Sequence, residues 1–582
     1  MIRTKDHKTM PIFDPWEFLG PKRRKLMDQS WAGLFRNHML NELPVGTLKP
    51  YFASGWGRPT KELYSILGAL VLQQMHDLSD EQTVYQMAFN QQWHYALDIT
   101  SSADEATYLC EKTLYNFRKI MTDNRLDEHL FNTTTEKLAQ VFNVDTTLQR
   151  LDSVHIQSNM RHLSRIGIFA KTIHKFLTNL KRRYPQQFQQ VDTDIADRYL
   201  SGKAPGCFSL VKPSEAAATL KQAARDLYRL VQQFGTDEAI CSMHSYKLLA
   251  RVLAEQCTIG ESTDEQPHPV ELKPAGQISS ESLQNPSDPD AGYSANKGKG
   301  YQVQLMETYS EQNEPEQKQK QLNLITHVAV ESADTHDAHA LMPAIESTQD
   351  RDLGPQQVVC DAAYGADENC QAAQQRSVEV VSPVMGTTQK THGLESFEFG
   401  EQGEVIRCPR GHAPVKVKKR KNRHSAVFGV EQCGSCPFFD QCSVKKGTRR
   451  YYLNYDDKQQ RCAVRRAAEQ TDEFQDRYRR RAGVEATMSE YDRRTGVKKL
   501  RVRGLKAVRF CAVLKAVGLN ILRAAAVKRA QTEDYDPDYA AGTAHYGLIW
   551  LFKERVMHFW GSTIKFLRVE PGFYDLDVKN AA

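Results

Sequence analysis

The sequence predicts a mixed α/β protein whose β core is interrupted by long helical segments. Apolar residues recur at three-to-four spacing over 20–140 and over 160–258, as they do in amphipathic helices. Five short apolar runs have the length and composition of strands. The chain has 582 residues, of which 40% are hydrophobic and 25% charged, so it is too long for one ordinary domain and we expect two to four units.

A helical N-terminal domain is predicted over 1–140. LYSILGALVLQQMHDL and SDEQTVYQMAFNQQWHYAL carry apolar residues at helical spacing, and EKTLYNFRKIMTDNRL continues the pattern. Ser79 and Gln82 fit a capping box at the start of the second segment. We therefore expect several packed helices before the first strand.

The β core is predicted from two separated segments, 141–159 and 296–386. The first strand, TTLQRLDSVHIQS at 146–158, alternates apolar and polar residues and contains Asp152. A short helix, AHALMPAIESTQ, fits between the third and fourth strands. The other strand candidates lie at 300–310, 322–332, 355–365 and 377–386.

The segments between and after these strands differ in composition. Residues 160–258 form a predicted helical insertion, and 259–295, rich in Pro, Ser, Asp and Glu, form a predicted linker. The basic, cysteine-rich segment 387–459 is predicted to be an irregular insertion. Core helices are predicted over 460–530, and 531–582 form a C-terminal tail.

Charge is distributed unevenly along the chain. The net charge is +6, but residues 401–530 contain 32 Lys and Arg against 13 Asp and Glu. This basic segment in an otherwise acidic chain indicates a polyanionic partner, although a solvated Lys and Arg surface has the same composition. No apolar run approaches the roughly 20 residues that span a bilayer, and the N-terminus lacks a secretory signal, so we expect a soluble intracellular protein with no membrane partner.

Three acidic residues stand in unusual surroundings. Asp152 lies inside an apolar-patterned strand, Asp361 follows the apolar run VVC, and Glu485 lies on a predicted helix in the basic segment. A single residue of this kind is more often a strand end or a solvated side chain. Buried carboxylates are costly unless they are paired or bind a metal. Three together suit Mg²⁺ or Mn²⁺, and two such ions about 4 Å apart support phosphoryl transfer.

The surroundings of these acids resemble those in DDE-type transposases of bacterial insertion sequences. The matching stretches are RLDSVHIQSN, VVCDAAYG and YRRRAGVEA, and the resemblance covers about 20–530. The family's glutamate motif has a tyrosine, an arginine three residues on and a glutamate four further on, which Tyr478, Arg481 and Glu485 match. The basic residue expected seven positions after the glutamate is replaced by Asp492, with Arg493 beside it.

The resemblance implies a ribonuclease H-like catalytic core and a metal-dependent reaction on DNA. Asp152, Asp361 and Glu485 would be the catalytic residues and would hold two Mg²⁺ or Mn²⁺ ions. The reaction would cut the transposon ends and join them to target DNA. Residues 1–140 would bind the terminal inverted repeats. A homodimer is expected because two ends must be brought together, and the protein would act at the nucleoid in the bacterial cytoplasm.

Two other functions remain open at the level of the sequence. A nuclease with the same core would hydrolyse DNA without joining it to a target. A domesticated DNA-binding regulator would have no catalytic activity, although such a protein has no need to retain Asp152, Asp361 and Glu485.

Four of the 12 cysteines cluster in CPRGH at 408–412 and CGSCPFFDQC at 433–442. CxxC spacing lets one turn supply two thiolates to a tetrahedral zinc ion, which would be structural. A redox pair and four unrelated thiols are the alternatives, and the redox interpretation lacks the usual setting near a βαβ unit. The predicted zinc ligands are Cys408, Cys433, Cys436 and Cys442, with His412 as a substitute.

Basic segments predict the contacts to DNA. KVKKRKNR at 416–423, the arginines at 477–481 and KKLRVRGLKAVR at 498–509 would bind phosphates, which gives affinity without reading much sequence. Arg481 would either hold a phosphate or fix the Glu485 carboxylate. The group DTHDAH at 334–339 is interpreted as a helix start capped by Asp or Thr rather than a metal site. The predicted DNA-binding residues are Tyr478, Arg481, Arg493, Lys418, Lys419, Arg420, Arg501 and Arg503.

Overall fold

The computed structural model describes residues 2–9, 12–53, 57, 59–201, 211–260, 270–386 and 391–531, and confirms a mixed α/β architecture. The N-terminal part is helical, as predicted. Ser79 and Gln82 form the expected capping box. The helix Leu63–Met75 is buried on nearly all sides, because only Tyr64 reaches partial exposure. The α-helices of this part are Gly20–Asp28, Trp31–Leu34, Leu63–Met75, Asp80–Phe89, Gln91–Ala96, Asp104–Thr107, Glu111–Asp123 and Leu126–Val141.

Five strands form the central sheet, in the order β3-β2-β1-β4-β5. Strand β2 runs antiparallel to β1 and β3, whereas β4 is parallel to β1 and β5 is parallel to β4. A further short strand, Gly292–Ser294, pairs with the start of β2. The five strands are β1 (Leu148–Gln157), β2 (Gly298–Thr308), β3 (Ile325–Ser332), β4 (Gln357–Cys360) and β5 (Glu379–Val381).

The two faces of this sheet belong to different hydrophobic clusters. Val154 and Ile156 of β1 face the N-terminal helices and the C-terminal helix (Leu505–Gln531), with which they share one core. Leu151 and Met306 face the other side, where the helix Leu341–Gln349 packs. Successive residues of a strand point to opposite faces, so the alternation in the sequence assigns each residue to one of these cores.

The helical insertion has its own hydrophobic cluster. The cluster also takes in Val270 and Leu283 from the segment predicted as a linker. The structure describes residues 259–260 and 270–295 of that segment. Asp288 is fully buried there, and its carboxylate accepts hydrogen bonds from Ser158, Tyr301 and the Gly504 backbone. The helices of the insertion are Arg165–Arg183, Pro185–Phe188, Thr193–Leu200, Ala216–Phe234, Glu238–Cys241 and His244–Gln256, and its hairpin pairs Cys257–Ile259 with Val270–Leu272.

The cysteine-rich segment is not irregular, which corrects the prediction. It contains a four-stranded sheet with its own apolar cluster. The side chains of Tyr451, Leu453 and Tyr455 lie in that cluster, at every second position of one strand. The many Lys and Arg residues of the segment obscure this alternation in the sequence. The strands are Lys416–Arg420, Arg423–Phe428, Lys445–Lys446 and Tyr451–Asp456, with a separate pair Glu398–Phe399 and Val405–Arg407 and a helix Val430–Gly434.

Helices follow from residue 457, as predicted. The C-terminal helix is long and apolar enough to cross a membrane by length and composition, which the sequence prediction missed, but 83% of its apolar window is buried inside the protein. It is therefore a core helix in the part of the chain that the structure describes. The predicted tail 531–582 lies outside the described residues from 532 onward. The helices are Asp457–Ala468, Asp472–Tyr478, Ala482–Thr495 and Leu505–Gln531.

Candidate active site

The sheet register brings the two aspartates together. Leu151 of β1 lies beside Cys360, the last residue of the parallel strand β4. Asp152 and Asp361 are each one residue further along, so both lie at the same level of adjacent strands. Asp152 is mostly buried, with 16% of its side chain exposed, whereas the Asp361 side chain is 48% exposed.

The glutamate comes from the glutamate helix (Ala482–Thr495), whose first turn contains Glu485. The spacing of Tyr478, Arg481 and Glu485 at i, i+3 and i+7 would place them on one face of a single helix. Instead, the helix Asp472–Tyr478 ends at Tyr478, and a 3-10 turn, Arg479–Arg481, leads into the glutamate helix.

Arg481 joins all three carboxylates. Its Nη2 lies 3.1 Å from the Asp152 Oδ2 and 3.6 Å from the Asp361 Oδ2, and its Nη1 lies 3.1 Å from the Glu485 Oε1. Of the two roles considered for Arg481, the contact with Glu485 corresponds to the second, and the guanidinium also contacts both aspartates. The guanidinium lies where a cation shared by the three acids would lie.

The electrostatics of Asp152 reflect this crowding. Burial raises the pKa of its carboxyl above the ordinary value, whereas the hydrogen bond from the Ser153 backbone and the charge of Arg481 lower it. The carboxylates of Asp361 and Asp337 raise the pKa further. Like charges this close favour protonation or a bound cation.

The three carboxylates suit a divalent ion by their chemistry. Oxygen donors with a combined negative charge are what Mg²⁺ prefers. In the described residues, no three His, Cys, Asp or Glu side chains are arranged as a metal-binding group. At this site the Arg481 guanidinium contacts all three acids. A metal bound here would have to displace that guanidinium.

Comparison with known families gives two matches. Residues 35–119 match the model described as a transposase domain, and residues 407–525 match the model described as a transposase DDE domain. Both matches support the resemblance to insertion-sequence DDE transposases. No curated protein matches the chain. The family implies a ribonuclease H-like fold, DNA as substrate and the use of divalent metals.

The two matches differ in what they cover. The DDE-domain match contains Glu485 and all four clustered cysteines, whereas Asp152 and Asp361 lie outside it. The transposase-domain match lies within the N-terminal helices, between Phe35 and Lys119. The roles of the individual acids therefore rest on their geometry.

The predicted DNA-binding residues lie in several places. Tyr478 is half-buried near the acids and stacks on Phe474, with ring centroids 5.6 Å apart. Arg501 pairs with Asp77 at 3.0 Å, and Arg503 donates a hydrogen bond to the Asn159 carbonyl. These last two arginines therefore already have protein partners. The remaining predicted residues, Arg493, Lys418, Lys419 and Arg420, are exposed.

Asp492, which replaces the expected basic residue, has a structural role. Its carboxylate accepts a hydrogen bond from the Lys498 backbone at 3.1 Å, and its carbonyl accepts one from Gly496. It thereby closes the loop after the glutamate helix. Gly496 adopts a left-handed conformation there, with φ of 65°.

The four clustered cysteines meet at one cavity, which His392 and His412 also line. Burial, together with the charges of the other three thiolates, raises the pKa of Cys433 to about 11. The turn from Cys433 to Cys436 is closed by a hydrogen bond from the Cys436 backbone to the Cys433 carbonyl. Packing thus places the residues 408 and 433–442 together, although their side chains are not arranged as a metal-binding group in this structure.

Sequence reasoning missed several charged residues beside the site. Glu307 of β2 is fully buried and pairs with Arg150. The signal was its position on the same strand face as Val303 and Leu305, where an apolar residue is expected.

Asp337 is the other missed carboxylate. It lies at the helix start in DTHDAH and pairs with Lys297 at 3.3 Å. The expected helix start is present, but the cap is the His336 side chain, which accepts a hydrogen bond from Ala338, rather than Asp or Thr. The charge of the Asp337 carboxylate, close to Asp152, raises the pKa of the Asp152 carboxyl.

Proposed function

We propose that this transposase cuts the ends of its element and joins them to target DNA by phosphoryl transfer that depends on divalent metal ions. The convergence of Asp152, Asp361 and Glu485 on one guanidinium supports this, because three carboxylates from two strands and a helix meet at one point. Such a set has little use in a protein that only binds DNA, since one guanidinium offsets only one of the three charges and the remaining negative charge repels phosphate.

The three acids would hold the metal ions, Mg²⁺ or Mn²⁺, and would fix the reacting phosphate in line. Two bound ions would activate the attacking oxygen and stabilise the leaving oxygen. Arg481, once released from the carboxylates, would be placed to hold a phosphate oxygen with its planar pair of N–H donors. Tyr478, packed beside it, would limit where the DNA strand lies.

The partners and location follow from this reaction. Double-stranded DNA is the substrate, as terminal inverted repeats and as target. The N-terminal helices would bind the repeats, and two copies of the chain would hold the two ends. The transposase would act at the nucleoid in the bacterial cytoplasm.

Replacement of the acids tests the reaction. Asp152→Asn, Asp361→Asn or Glu485→Gln should lower the cleavage rate in Mg²⁺ at least about a thousandfold, because several kcal/mol of charge stabilisation is lost. Binding to terminal-repeat DNA, measured by gel shift, should persist. Glu473→Gln removes an exposed acid from the preceding helix and serves as the control. An acid variant that cuts normally would show that its residue is misassigned.

A strand-transfer assay separates the transposase from a nuclease of the same fold. Cleaved ends should appear joined to target DNA in Mg²⁺. Hydrolysed ends without joined products would favour the nuclease, and a protein that binds DNA but never cuts would favour the regulator.

We further propose that Cys408, Cys433, Cys436 and Cys442 bind one structural zinc ion, with His412 as a substitute. The shared cavity supports this, because all four cysteines line it and a structural zinc ion takes four such ligands. Metal analysis of the purified protein should find about one zinc per chain. A Cys433→Ser, Cys436→Ser variant should lose it, and Cys110→Ser, in the N-terminal helical part, should keep it. A zinc-free wild-type protein would contradict the proposal.

A further inference from the structure

Glu307 lies at the centre of a charged network inside the protein. Its carboxylate is fully buried in β2 and accepts hydrogen bonds from three side chains. Burial by itself would raise the pKa of Glu307, but the charges of Arg523 and Arg150 hold it below the ordinary value. The carboxylate is therefore ionised in the core, which is tolerated only when its partners are well placed.

The partners come from three elements. Arg150, the cross-strand neighbour on β1, donates from Nε at 2.7 Å, and Arg523 of the C-terminal helix donates from Nη1 at 2.8 Å. Thr487 of the glutamate helix lies with its hydroxyl 2.8 and 2.9 Å from the two carboxylate oxygens. Arg523 also donates to that hydroxyl and to Glu490. Arg494 pairs with Glu490 at 2.8 Å, so the two glutamates of the network are fully compensated by arginines.

This network touches both elements that carry the catalytic acids. Arg150 is two residues before Asp152 on the same strand, and Thr487 is two residues after Glu485 on the glutamate helix. Arg150 also donates to the Arg480 carbonyl at 3.0 Å, in the turn that presents Arg481. Hydrogen bonds to the buried Glu307 carboxylate thus link the strand that carries Asp152 to the helix that carries Glu485.

Gly483 permits this close approach. A Cβ atom at position 483 would lie 1.9 Å from the Arg150 Nη1, which is well inside contact distance. The glutamate helix therefore passes directly over the guanidinium. Any larger residue would displace either the Arg150 guanidinium or the helix itself.

Packing alone does not require the network. The glutamate helix already buries Val484, Met488 and Tyr491 in the main hydrophobic cluster. Apolar contacts hold a helix against a sheet but tolerate small shifts along it, whereas directional hydrogen bonds to a fixed carboxylate do not. Buried ion pairs commonly add little to stability compared with apolar residues, so a geometric role explains the arrangement better.

We propose that Glu307, acting through Thr487, Arg150 and Arg523, is the positioning residue that sets Glu485 at metal-binding distance from Asp152 and Asp361. The inference rests on the proposed function, since it concerns the same three acids. It adds that their geometry is controlled from inside the core rather than by the exposed residues around the site.

The test compares Thr487→Val with Thr487→Ser in the full-length chain. Valine keeps the shape but removes the hydroxyl, whereas serine keeps the hydroxyl and restores the bonds to Glu307 and Arg523. With valine, the Mn²⁺ concentration for half-maximal binding to the DNA-free protein should rise about tenfold, as is typical when a group that orients a metal ligand is lost. Amides of 482–495 should exchange faster with solvent, and DNA affinity should not change.

Serine should restore both the Mn²⁺ affinity and the exchange protection. Glu307→Gln should weaken Mn²⁺ binding and exchange protection more than Thr487→Val does. If Glu307→Gln does not fold, the comparison of Thr487→Val with Thr487→Ser tests the inference by itself. Unchanged Mn²⁺ binding in Thr487→Val, or equal loss in valine and serine, would overturn the inference. Normal cleavage by Glu485→Gln would instead overturn the proposed function, and the exchange data would still report whether the hydroxyl holds the helix.

Discussion

Arg481 is the residue that organises the three carboxylates in this structure. Its side chain is 20% exposed and reaches Asp152, Asp361 and Glu485 at once. The guanidinium offsets one of the three negative charges and so reduces the repulsion among the acids. A cation that enters the site must compete with this internal one.

Replacing Arg481 with Ala should therefore strengthen metal binding in the absence of DNA. We expect Mn²⁺ to bind about tenfold more tightly, which corresponds to about 1.4 kcal/mol, as measured by calorimetric titration. Arg480→Ala is the matched control, because the Arg480 side chain contacts Asn313 and the Glu311 carbonyl instead. Weaker binding in Arg481→Ala would mean that the arginine holds the ligands in place rather than competing with the ion.

Single residues also show where sequence reasoning reached its limit. The spacing of Tyr478, Arg481 and Glu485 was readable, because a motif is a local property of the chain. The partners of Arg481 were not readable, since Asp152 lies 329 positions away. Glu307 carried a signal, a charge on an apolar strand face, but its three partners come from distant elements.

The basic hairpin (Lys416–Arg420 paired with Arg423–Phe428) is the element best suited to bind phosphates. Its strands pair from Lys416 with Val427 to Arg420 with Arg423, and the tip around Lys421 is exposed. The hairpin is anchored by the buried residues Ala426 and Phe428, so the charges extend from a fixed base. A rigid, exposed arm of this kind favours contact with DNA.

Removing charge from this hairpin should reduce the salt dependence of DNA binding. Changing Lys418, Lys419 and Arg420 to Gln should lower the slope of log K against log salt concentration by about 3, roughly one per lost phosphate contact. The matched control changes Lys181, Arg182 and Arg183, which are equally exposed on the insertion. An equal fall in both variants would indicate a general effect of net charge.

At the scale of the molecule, the N-terminal helices and the central sheet share one hydrophobic core. The C-terminal helix packs tightly against Leu63–Met75, where a Cβ at Gly518 would lie 2.6 Å from the Met75 side chain. The buried Lys515 ties the same region together through Asp77 at 2.8 Å. The insertion, in contrast, buries its own cluster.

This division predicts two patterns of unfolding. Leu70→Ala should lower the free energy of unfolding by about 2–5 kcal/mol and reduce hydrogen-exchange protection in β1 as well as in the N-terminal helices. Leu227→Ala, an equally buried change in the insertion, should reduce protection there and leave β1 unaffected. Loss of β1 protection in both variants would show that the two cores unfold as one unit.

The sequence by itself determined the mixed α/β class, the order of strands and helices and the three acidic motifs, because periodicity and spacing act within a few residues. It underestimated the strands of the cysteine-rich segment, where a high density of Lys and Arg masked the alternation. Only the tertiary structure decided that Arg481 bridges the acids, that Glu307 ties β1 to the glutamate helix and that four cysteines face one cavity. Those contacts depend on strand register and helix packing, and a shift of one residue would turn each side chain to the other face.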